Sequence, residues 1–598
     1  MDPFDKKILN QLKEEDKIKP KCRPKDTPRS KLDSGFLKMK SLDYGETCYH
    51  RCLSLSDTIA DKLKFTKWEE LQSNGVDVKC DVVEVQCTKE NGNDKTYEFL
   101  HHQLVKRLSK FTFDAKKPDV YIFIIDYASM SHLMRALPKT LQYLTQVMGA
   151  TVFPFNNKPY YDSKFNRDAI LHGKKIQDTN ISDVCEKESS FLLFLYKKEG
   201  YKVLVNDDSG RNNVRSCKYN DENVIDHDLS TFFTRLQQMF PESQKTSRNN
   251  NDFHSNIWDK YCYENHSEMF KYFEKFENEY SDEPKLAITR FSSLMHAVKN
   301  NLYMYDDDFL EFFKNMNYKF QESHIFLLGD RGFPVYQDET IKIDRLEDYN
   351  PALIYKPPAS LLKNEKLVEQ LNENSRQLVT HFDVYATLVD ILENGPNFTK
   401  DYNFKSKPPP SSQQPTASSL LRPLYQPRTC QTLGLHYEAC LCQNHGPTTT
   451  NLPNDLIDEL AKTAVNYINN AIQETRLNYN QSRSSNSERD QVKNDSFDRY
   501  CAKLKVPDNF KPFAELYKGP YDEDNIDVSV VYRLTFKTTP GEGLYDPYLH
   551  VYPSGTIEVA SPWFNRKNRD RSQIQCLQNL TDVENDYILD FCYCKDSL

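Results

Sequence analysis

Two aspartates directly follow the two most apolar runs of the chain, where they could act together on one ligand. Asp126 ends the run 120–126 (VYIFIID), and Asp330 ends the run 324–330 (HIFLLGD). Such runs are typical of strands buried on both faces of a parallel sheet. Because ligands of open α/β sheets bind at the carboxyl ends of strands, we expect the two carboxylates to converge and to suit a divalent cation. The alternative is that both are ordinary strand-to-loop aspartates.

The segments between and after these runs must position the two aspartates. They alternate between short apolar stretches and stretches with apolar residues at helical spacing, which indicates an α/β domain. We assign this domain to residues 116–404. The predicted strands are Val120–Ile125, Phe191–Tyr196, Leu286–Phe291 and His324–Leu328, and the predicted helices are Leu137–Met148, Met269–Tyr280, Phe309–Met316 and Gln377–Leu392.

The flanking regions differ from this domain in composition. Residues 1–115 are polar and rich in cysteine, with one strand predicted at Val76–Thr88. Residues 405–419 contain SKPPPSSQQPTASS, which predicts a flexible or polyproline linker. Residues 420–598 predict a smaller α+β region that contains cysteines, with a helix at Leu456–Glu474 and strands at Asp527–Lys537 and Thr556–Val559.

Composition excludes several classes of function. The 78 Lys and Arg against 87 Asp and Glu give a net charge of −9 without a long basic cluster, which argues against nucleic-acid binding. No apolar run reaches the ~18 residues that would span a membrane. The chain has only 17 glycines and no glycine-rich phosphate-binding motif, which argues against nucleotide-driven and dinucleotide enzymes.

The 15 cysteines are concentrated in the two polar flanks, and the predicted core strands contain none. This distribution predicts disulfides, and therefore an exported protein in the secretory pathway or outside the cell. The first residues are too charged for a signal peptide, so we expect the signal to lie upstream of Met1 or to have been lost. The alternative is a cytosolic protein with free thiols. Six N-x-S/T sequons, at Asn180, Asn265, Asn397, Asn480, Asn494 and Asn579, permit glycosylation.

Six stretches in order resemble a large animal family of unknown function, expanded in nematodes and related to sulfatases and alkaline phosphatases. The resemblance covers about 77–442. The first stretch, Asp126–Thr140 (DYASMSHLMRALPKT), is similar to the opening signature of the family. The others are Asn157–Gly173, Leu294–His296 with Asp306–Asp308, Gly329–Gly332, Leu378–Leu388 and Ser419–Cys442.

The resemblance implies a three-layer α/β/α alkaline-phosphatase-like or sulfatase-like fold and an ester-hydrolase site. In catalytic relatives a nucleophile attacks phosphorus or sulfur, and divalent ions lower its pKa and stabilise the developing charge. The matching positions imply Asp126 and Asp330 as metal carboxylates, with one divalent cation as the expected cofactor. Ser163 stands at the position of the nucleophile, and His296 is a candidate metal or substrate contact.

Several departures from the family pattern predict a degenerate site. Arg331 stands where the family has a metal-binding histidine, and a guanidinium has no lone pair to donate. We expect it to pair with Asp126 and Asp330 in place of the ion. Tyr160 and Phe165, in the loop around Ser163, narrow the space where the phosphoryl group of a substrate would bind. We therefore predict a pseudoenzyme that holds no cation. It would bind a protein partner or an anionic ligand. The alternative is an active metal-dependent hydrolase of phosphate or sulfate esters.

Overall fold

The computed structural model divides the chain into two compact units. The first comprises Met1–Pro334 with Ile343–Leu435, and the second comprises Val335–Lys342 with His436–Leu598. The structure describes residues 3–4, 6–9, 18–19, 21–55, 63–89, 95–108, 117–160, 163–173, 190–209, 218–219, 222–239, 260–296, 301–333, 342–406, 413–414, 416–430, 432–435, 440–441, 452–475, 499–517, 530–560, 566, 568, 573, 576 and 590–595.

A seven-stranded sheet forms the centre of the first unit. Its strands in chain order are β1 (Val120–Ile125), β2 (Thr151–Val152), β3 (Lys202–Asp207), β4 (His227–Asp228), β5 (Lys285–Phe291), β6 (His324–Gly329) and β7 (Leu353–Lys356). The spatial order is β2-β7-β6-β1-β5-β3-β4. The five strands from β6 to β4 are parallel, β7 pairs antiparallel with β6 at one edge, and β2 pairs antiparallel with β7.

Alternate residues of β1 enter two separate apolar layers. Tyr121, Phe123 and Ile125 belong to one cluster, and Ile122 and Ile124 belong to the other. Both faces of the sheet are therefore covered, as continuous apolar strands require. This confirms the three-layer α/β/α architecture that the sequence predicts.

Helices form the two outer layers. The α-helices described in this unit and at its junction with the second are Lys6–Leu9, Met130–Ala136, Pro138–Gln146, Ser163–His172, Leu192–Lys198, Ser230–Met239, Asn265–Glu279, Ser293–His296, Asp306–Phe320, Lys342–Tyr349, Glu365–Asn374 and His381–Asn394, with 3-10 turns at Asn301–Met304, Leu361–Lys363 and Gly395–Asn397. The structure thus places helices over most of each predicted helical segment and shifts their ends by a few residues.

Among the strands predicted for the α/β domain, one is wrong. The segment Phe191–Tyr196 contributes to the helix Leu192–Lys198, and the neighbouring strand is Lys202–Asp207. A short apolar run does not distinguish a buried strand from a buried helix, because both exclude polar side chains. Leu192, Leu193 and Tyr196 are buried in the same apolar layer as β3 residues.

The N-terminal part of the first unit is built from short sheets and disulfides. One sheet contains Glu46–Leu55, Leu63–Phe65, Glu69–Glu70, Val82–Lys89 and Lys95–His102, and the other contains Ser30–Asp33, Phe36–Met39 and Val76–Asp77. Disulfides join Cys48 to Cys87, Cys52 to Cys80 and Cys22 to Cys262. Every cysteine among the described residues is disulfide-bonded, which confirms the disulfides expected from the cysteine distribution.

The predicted linker 405–419 is described only in part, because residues 407–412 and 415 lie outside the described residues. Ala417 and Ser418 are buried and pair with Gln413–Gln414, and Leu420 and Leu421 enter an apolar layer of the central sheet. The first compact unit continues through Leu435, whereas the sequence assigns the α/β domain to residues 116–404. The flexible or polyproline linker stays a prediction.

The second unit packs a long helix on a small antiparallel sheet. The helix is Asn454–Glu474, and the strands are Phe513–Tyr517, Val530–Thr538, Gly543–Tyr545, Tyr548–Val551 and Ile557–Val559. Disulfides Cys501–Cys592 and Cys576–Cys594 hold its C-terminal end. Nowhere in the described residues is a helix both long and apolar enough to cross a membrane.

Candidate functional site

The candidate site lies at the carboxyl edge of the central sheet, where four strands deliver charged side chains. Asp126 follows β1 and Asp330 follows β6, as the sequence predicts. Asp207 is the last residue of β3, and Arg290 lies one residue before the end of β5. Because β6, β1, β5 and β3 are adjacent and parallel, these side chains reach the same edge.

Arg290 bridges two of the carboxylates. Its Nε donates to Asp126 Oδ1 at 2.8 Å, its Nη2 donates to Asp126 Oδ2, and its Nη1 donates to Asp207 Oδ2 at 3.0 Å. The Ser292 hydroxyl also donates to Asp126 Oδ2, at 2.8 Å. Burial opposes ionisation of Asp126, but the Arg290 guanidinium outweighs it and keeps the pKa of that carboxyl below its ordinary value. Both oxygens of Asp126 are thus engaged by the chain itself.

Asp330 has a different environment. Its Oδ1 accepts the Tyr127 backbone N–H at 2.9 Å, and Tyr127 has a left-handed φ of 62°. Its Oδ2 is buried and forms no hydrogen bond within the described part of the chain. The Ser163 hydroxyl lies near this carboxyl and lowers its pKa slightly, without the geometry of a well-formed hydrogen bond. Burial and the charge of Asp126 dominate and raise the pKa of Asp330 to about 6.

Ser163 is the first residue of the helix Ser163–His172, and Arg167 lies one turn further along it. Burial, together with the charge of Arg290, lowers the pKa of Arg167 despite the nearby carboxylates. The Tyr160 ring contacts the rings of Phe165 and Phe382, with centroids 6.0 and 6.2 Å apart. The aromatic side chains that the sequence places beside the nucleophile position therefore pack there against each other.

Arg331 does not have the partners that we expect from the sequence. Its Nη2 lies 2.9 Å from Asp348 Oδ1, and neither Asp126 nor Asp330 contacts it. The backbone brings Arg331 next to Asp348 instead: the Gly332 N–H donates to the Asp348 carbonyl oxygen at 3.0 Å, and the Arg331 Nε donates to Asp348 Oδ1 at 3.1 Å.

A second ionic cluster surrounds Asp348. Its Oδ1 also lies 2.8 Å from the Lys158 Nζ, and the Lys158 side chain is fully buried. Burial and the neighbouring Arg331 lower the pKa of Lys158 to about 7. Arg331 therefore belongs to a cluster with Lys158 and Asp348, separate from the Arg290 bridge.

The remaining predicted contact, His296, is the last residue of the short helix Ser293–His296, and its side chain lies outside the described residues. Sequence reasoning missed Arg290, Asp207 and Arg167. A signal for Arg290 was present, because a charged residue inside a strand buried on both faces needs an opposite charge nearby. Its partners could not be read from the sequence.

The described donor set does not fit the metal centre that the resemblance implies. Asp126 is occupied by Arg290 and Ser292, and the histidine position is Arg331. Three groups of His, Cys, Asp and Glu in the described residues have donor atoms within 4.8 Å of one another, and none contains Asp126 or Asp330. Two of these groups contain disulfide-bonded cysteines, and the Lys19 ammonium contacts two carboxylates of the third.

Two buried carboxyls, those of Asp208 and Glu268, change the stability of the fold with pH in opposite directions. Burial raises the pKa of Asp208 to about 6. Hydrogen bonds from His102 and Lys271 outweigh burial and lower the pKa of Glu268 to about 2. Since one pKa unit corresponds to about 1.4 kcal/mol, Asp208 removes up to roughly 3 kcal/mol of stability as the pH rises from 4 to 6. Glu268 contributes a similar amount above its ordinary pKa, which is lost as the pH falls towards 2.

Melting temperatures measured by calorimetry between pH 3 and 7 check this prediction. We expect the melting temperature of Asp208→Asn to rise relative to that of wild type as the pH increases from 4 to 6, because the amide does not have to remain un-ionised inside the fold. A difference between the two proteins that stays constant over this range would contradict the role of Asp208.

Comparisons with known proteins place these observations in context. Residues 29–507 match the sequence model of a family described as "Protein of unknown function (DUF229)". No curated protein matches the chain in sequence.

Solved structures that resemble the chain include two phosphoethanolamine transferases. Lipooligosaccharide phosphoethanolamine transferase A (EptA) from Neisseria meningitidis is 11% identical over 47% of this chain and 56% of that chain, with a TM-score of 0.32. The chain thus matches little more than half of the EptA length. The C-terminal periplasmic domain of EcEptC from Escherichia coli is 11% identical over 55% of this chain and 92% of that domain, with a TM-score of 0.32.

The lipoteichoic acid synthase LtaP from Listeria monocytogenes is 13% identical over 47% of this chain and 73% of that chain, with a TM-score of 0.31. At these values the structural likeness carries no argument about function. The α/β/α architecture rests on the sheet order and the two apolar layers.

Proposed function

The chain belongs to the DUF229 family, and from that premise we propose that it is an exported, non-hydrolytic member that acts by binding rather than by turnover. One observation carries the proposal: Arg290 contacts both oxygens of Asp126 and one oxygen of Asp207. A guanidinium that binds both oxygens of a carboxylate places its positive charge where a cation would otherwise lie, and it repels a second cation there. Here the positive charge comes from a strand residue that cannot act as a metal ligand.

The disulfides support export, because such bonds persist in oxidising compartments. Five of them are resolved with both partners, in both units of the chain. The ligand class that the sequence predicts, a protein partner or an anionic ligand, stays a prediction.

The second candidate is a metal-dependent hydrolase of phosphate or sulfate esters. A specific observation favours it, since Ser163 Oγ and Asp330 Oδ2 are both buried without a hydrogen bond among the described residues. Ester hydrolysis of this kind needs a nucleophilic hydroxyl close to a carboxylate oxygen. It would require Arg290 to release Asp126.

Metal content and hydrolysis distinguish the two candidates. We expect protein from a secretory host, purified without chelators, to contain far less than one equivalent of Zn, Mn, Mg or Ca per chain. Aryl phosphate and aryl sulfate should be hydrolysed no faster by wild type than by Ser163→Ala, with and without added divalent ions. The matched control is Ser360→Ala, a serine that hydrogen-bonds Glu322 far along the chain from Ser163. A metal-dependent rate that is lost in Ser163→Ala and kept in Ser360→Ala would overturn the proposal and establish the hydrolase.

A further inference from the structure

Two of the six N-x-S/T sequons lie in described parts of the chain, and their surroundings differ. Asn397, in Asn397-Phe398-Thr399, is exposed, and so is Thr399. Asn265, in Asn265-His266-Ser267, is half-buried at the start of the helix Asn265–Glu279. An attached sugar needs an asparagine amide that faces solvent, so the two sites are not equivalent.

The turn that contains Asn397 is held without the asparagine side chain. Asn397 ends the 3-10 turn Gly395–Asn397, which follows directly on the helix His381–Asn394. The Phe398 ring packs against the rings of Tyr402 and Phe404, each with a centroid distance of 4.9 Å. The aromatic contacts position the backbone, and the Asn397 amide is left for solvent.

The Asn265 amide is already used inside the fold. Its Nδ2 lies 3.4 Å from the Ser293 Oγ, and the Ser293 hydroxyl in turn donates to Asp208. Asp208 directly follows Asp207 at the carboxyl edge of the sheet. A sugar on Asn265 would replace one of the two Nδ2 hydrogens of this half-buried amide and crowd residues next to the candidate site.

Asn397 lies at the opposite edge of the sheet from that site. The helix His381–Asn394 begins where the His381 Nε2 contacts the Gly329 carbonyl oxygen, at the carboxyl end of β6. It ends where a Cβ at Gly395 would lie 3.1 Å from Pro118, just before β1. Fourteen helical residues span about 21 Å. A glycan on Asn397 would therefore leave the Asp126–Arg290 site open.

We propose that Asn397 carries an N-linked glycan and that Asn265 does not. The inference rests on the export that forms part of the proposed function. In the transfer step, Asn397 Nδ2 forms a bond to C1 of the first sugar of an oligosaccharide carried on a polyprenyl pyrophosphate. The bond between C1 and the pyrophosphate oxygen breaks, the lipid pyrophosphate leaves, and the amide loses one proton.

The test uses the full chain secreted from a eukaryotic host. Enzymatic release of N-glycans in H2¹⁸O converts each glycosylated asparagine to ¹⁸O-labelled aspartate, and peptide mass spectrometry locates the label. We expect label at Asn397 and none at Asn265. In gel mobility, Asn397→Gln and Thr399→Ala should lose one glycan, Thr399→Ser should keep it, and Asn265→Gln should match wild type.

The possible outcomes distinguish a failure of the glycan assignment from a failure of the proposed export. Secreted protein with oxidised cysteines but unlabelled Asn397, or with labelled Asn265, overturns the assignment and leaves the export standing. Chain that is retained in cells with free thiols overturns both the export and the assignment. Because wild-type peptides are measured directly, poor folding of a variant does not affect the result.

Discussion

Arg290→Met is expected to lower the free energy of unfolding by about 3–5 kcal/mol near neutral pH, because it leaves two buried carboxylates without their shared cation. Asp126 and Asp207 are 2% and 4% exposed, so water replaces little of the lost interaction. Urea unfolding followed by circular dichroism measures the effect. Methionine keeps much of the side-chain volume, so the loss reports on charge more than on a cavity.

Arg331→Met is the matched control. Arg331 is also a buried arginine paired with an aspartate, but its partner Asp348 keeps the Lys158 ammonium at 2.8 Å. We therefore expect a smaller loss than for Arg290→Met. Equal losses in the two variants, or a larger loss for Arg331→Met, would contradict the assignment of Arg290 as the cation of the site.

Divalent ions provide a second measurement on the same pair of variants. Removing Arg290 frees the oxygens of Asp126, so a divalent ion that binds the folded state should raise the melting temperature of Arg290→Met. Wild type and Arg331→Met should respond little, because Arg290 still contacts Asp126 in both. A response of the same size in all three proteins would place the ion elsewhere.

Arg422→Met is expected to have a loss of similar size, about 3–5 kcal/mol. Arg422 is 1% exposed, and it binds Asp390 through two hydrogen bonds of 2.7 and 2.8 Å. It also donates to the Tyr402 hydroxyl at 3.0 Å. The variant tests whether the segment after residue 419 belongs to the α/β unit, because a residue of a separate region would not affect the stability of this unit to that extent.

Two variants control this prediction. Lys405→Met breaks an exposed ion pair with Glu369 and should change stability by at most about 1 kcal/mol. The double variant Arg422→Met with Asp390→Leu removes both buried charges and should recover part of the stability lost in Arg422→Met. A loss for Arg422→Met no larger than that for Lys405→Met would be incompatible with the buried ion pair.

Strands β1 and β6 can be predicted from the sequence alone. They lie where their apolar runs predict them, because both faces of these strands are covered by apolar layers. The same runs place Asp126 and Asp330 at one edge of the sheet. The clustering of cysteines in the two flanking regions predicts the disulfides, because cysteines that were only small apolar core residues would be found in the core strands.

The arginine that pairs with Asp126 could not be predicted from the sequence. Arg331 is the sequence neighbour of Asp330, whereas Arg290 is 164 residues from Asp126 and reaches it only through the pairing of β5 with β1. Sequence adjacency does not set the direction of a side chain in a tight turn, and strand pairing brings distant residues together in a way that local composition does not encode. The same limit applies to the helix at Leu192–Lys198 and to Leu420 and Leu421, whose packing partners lie far away along the chain.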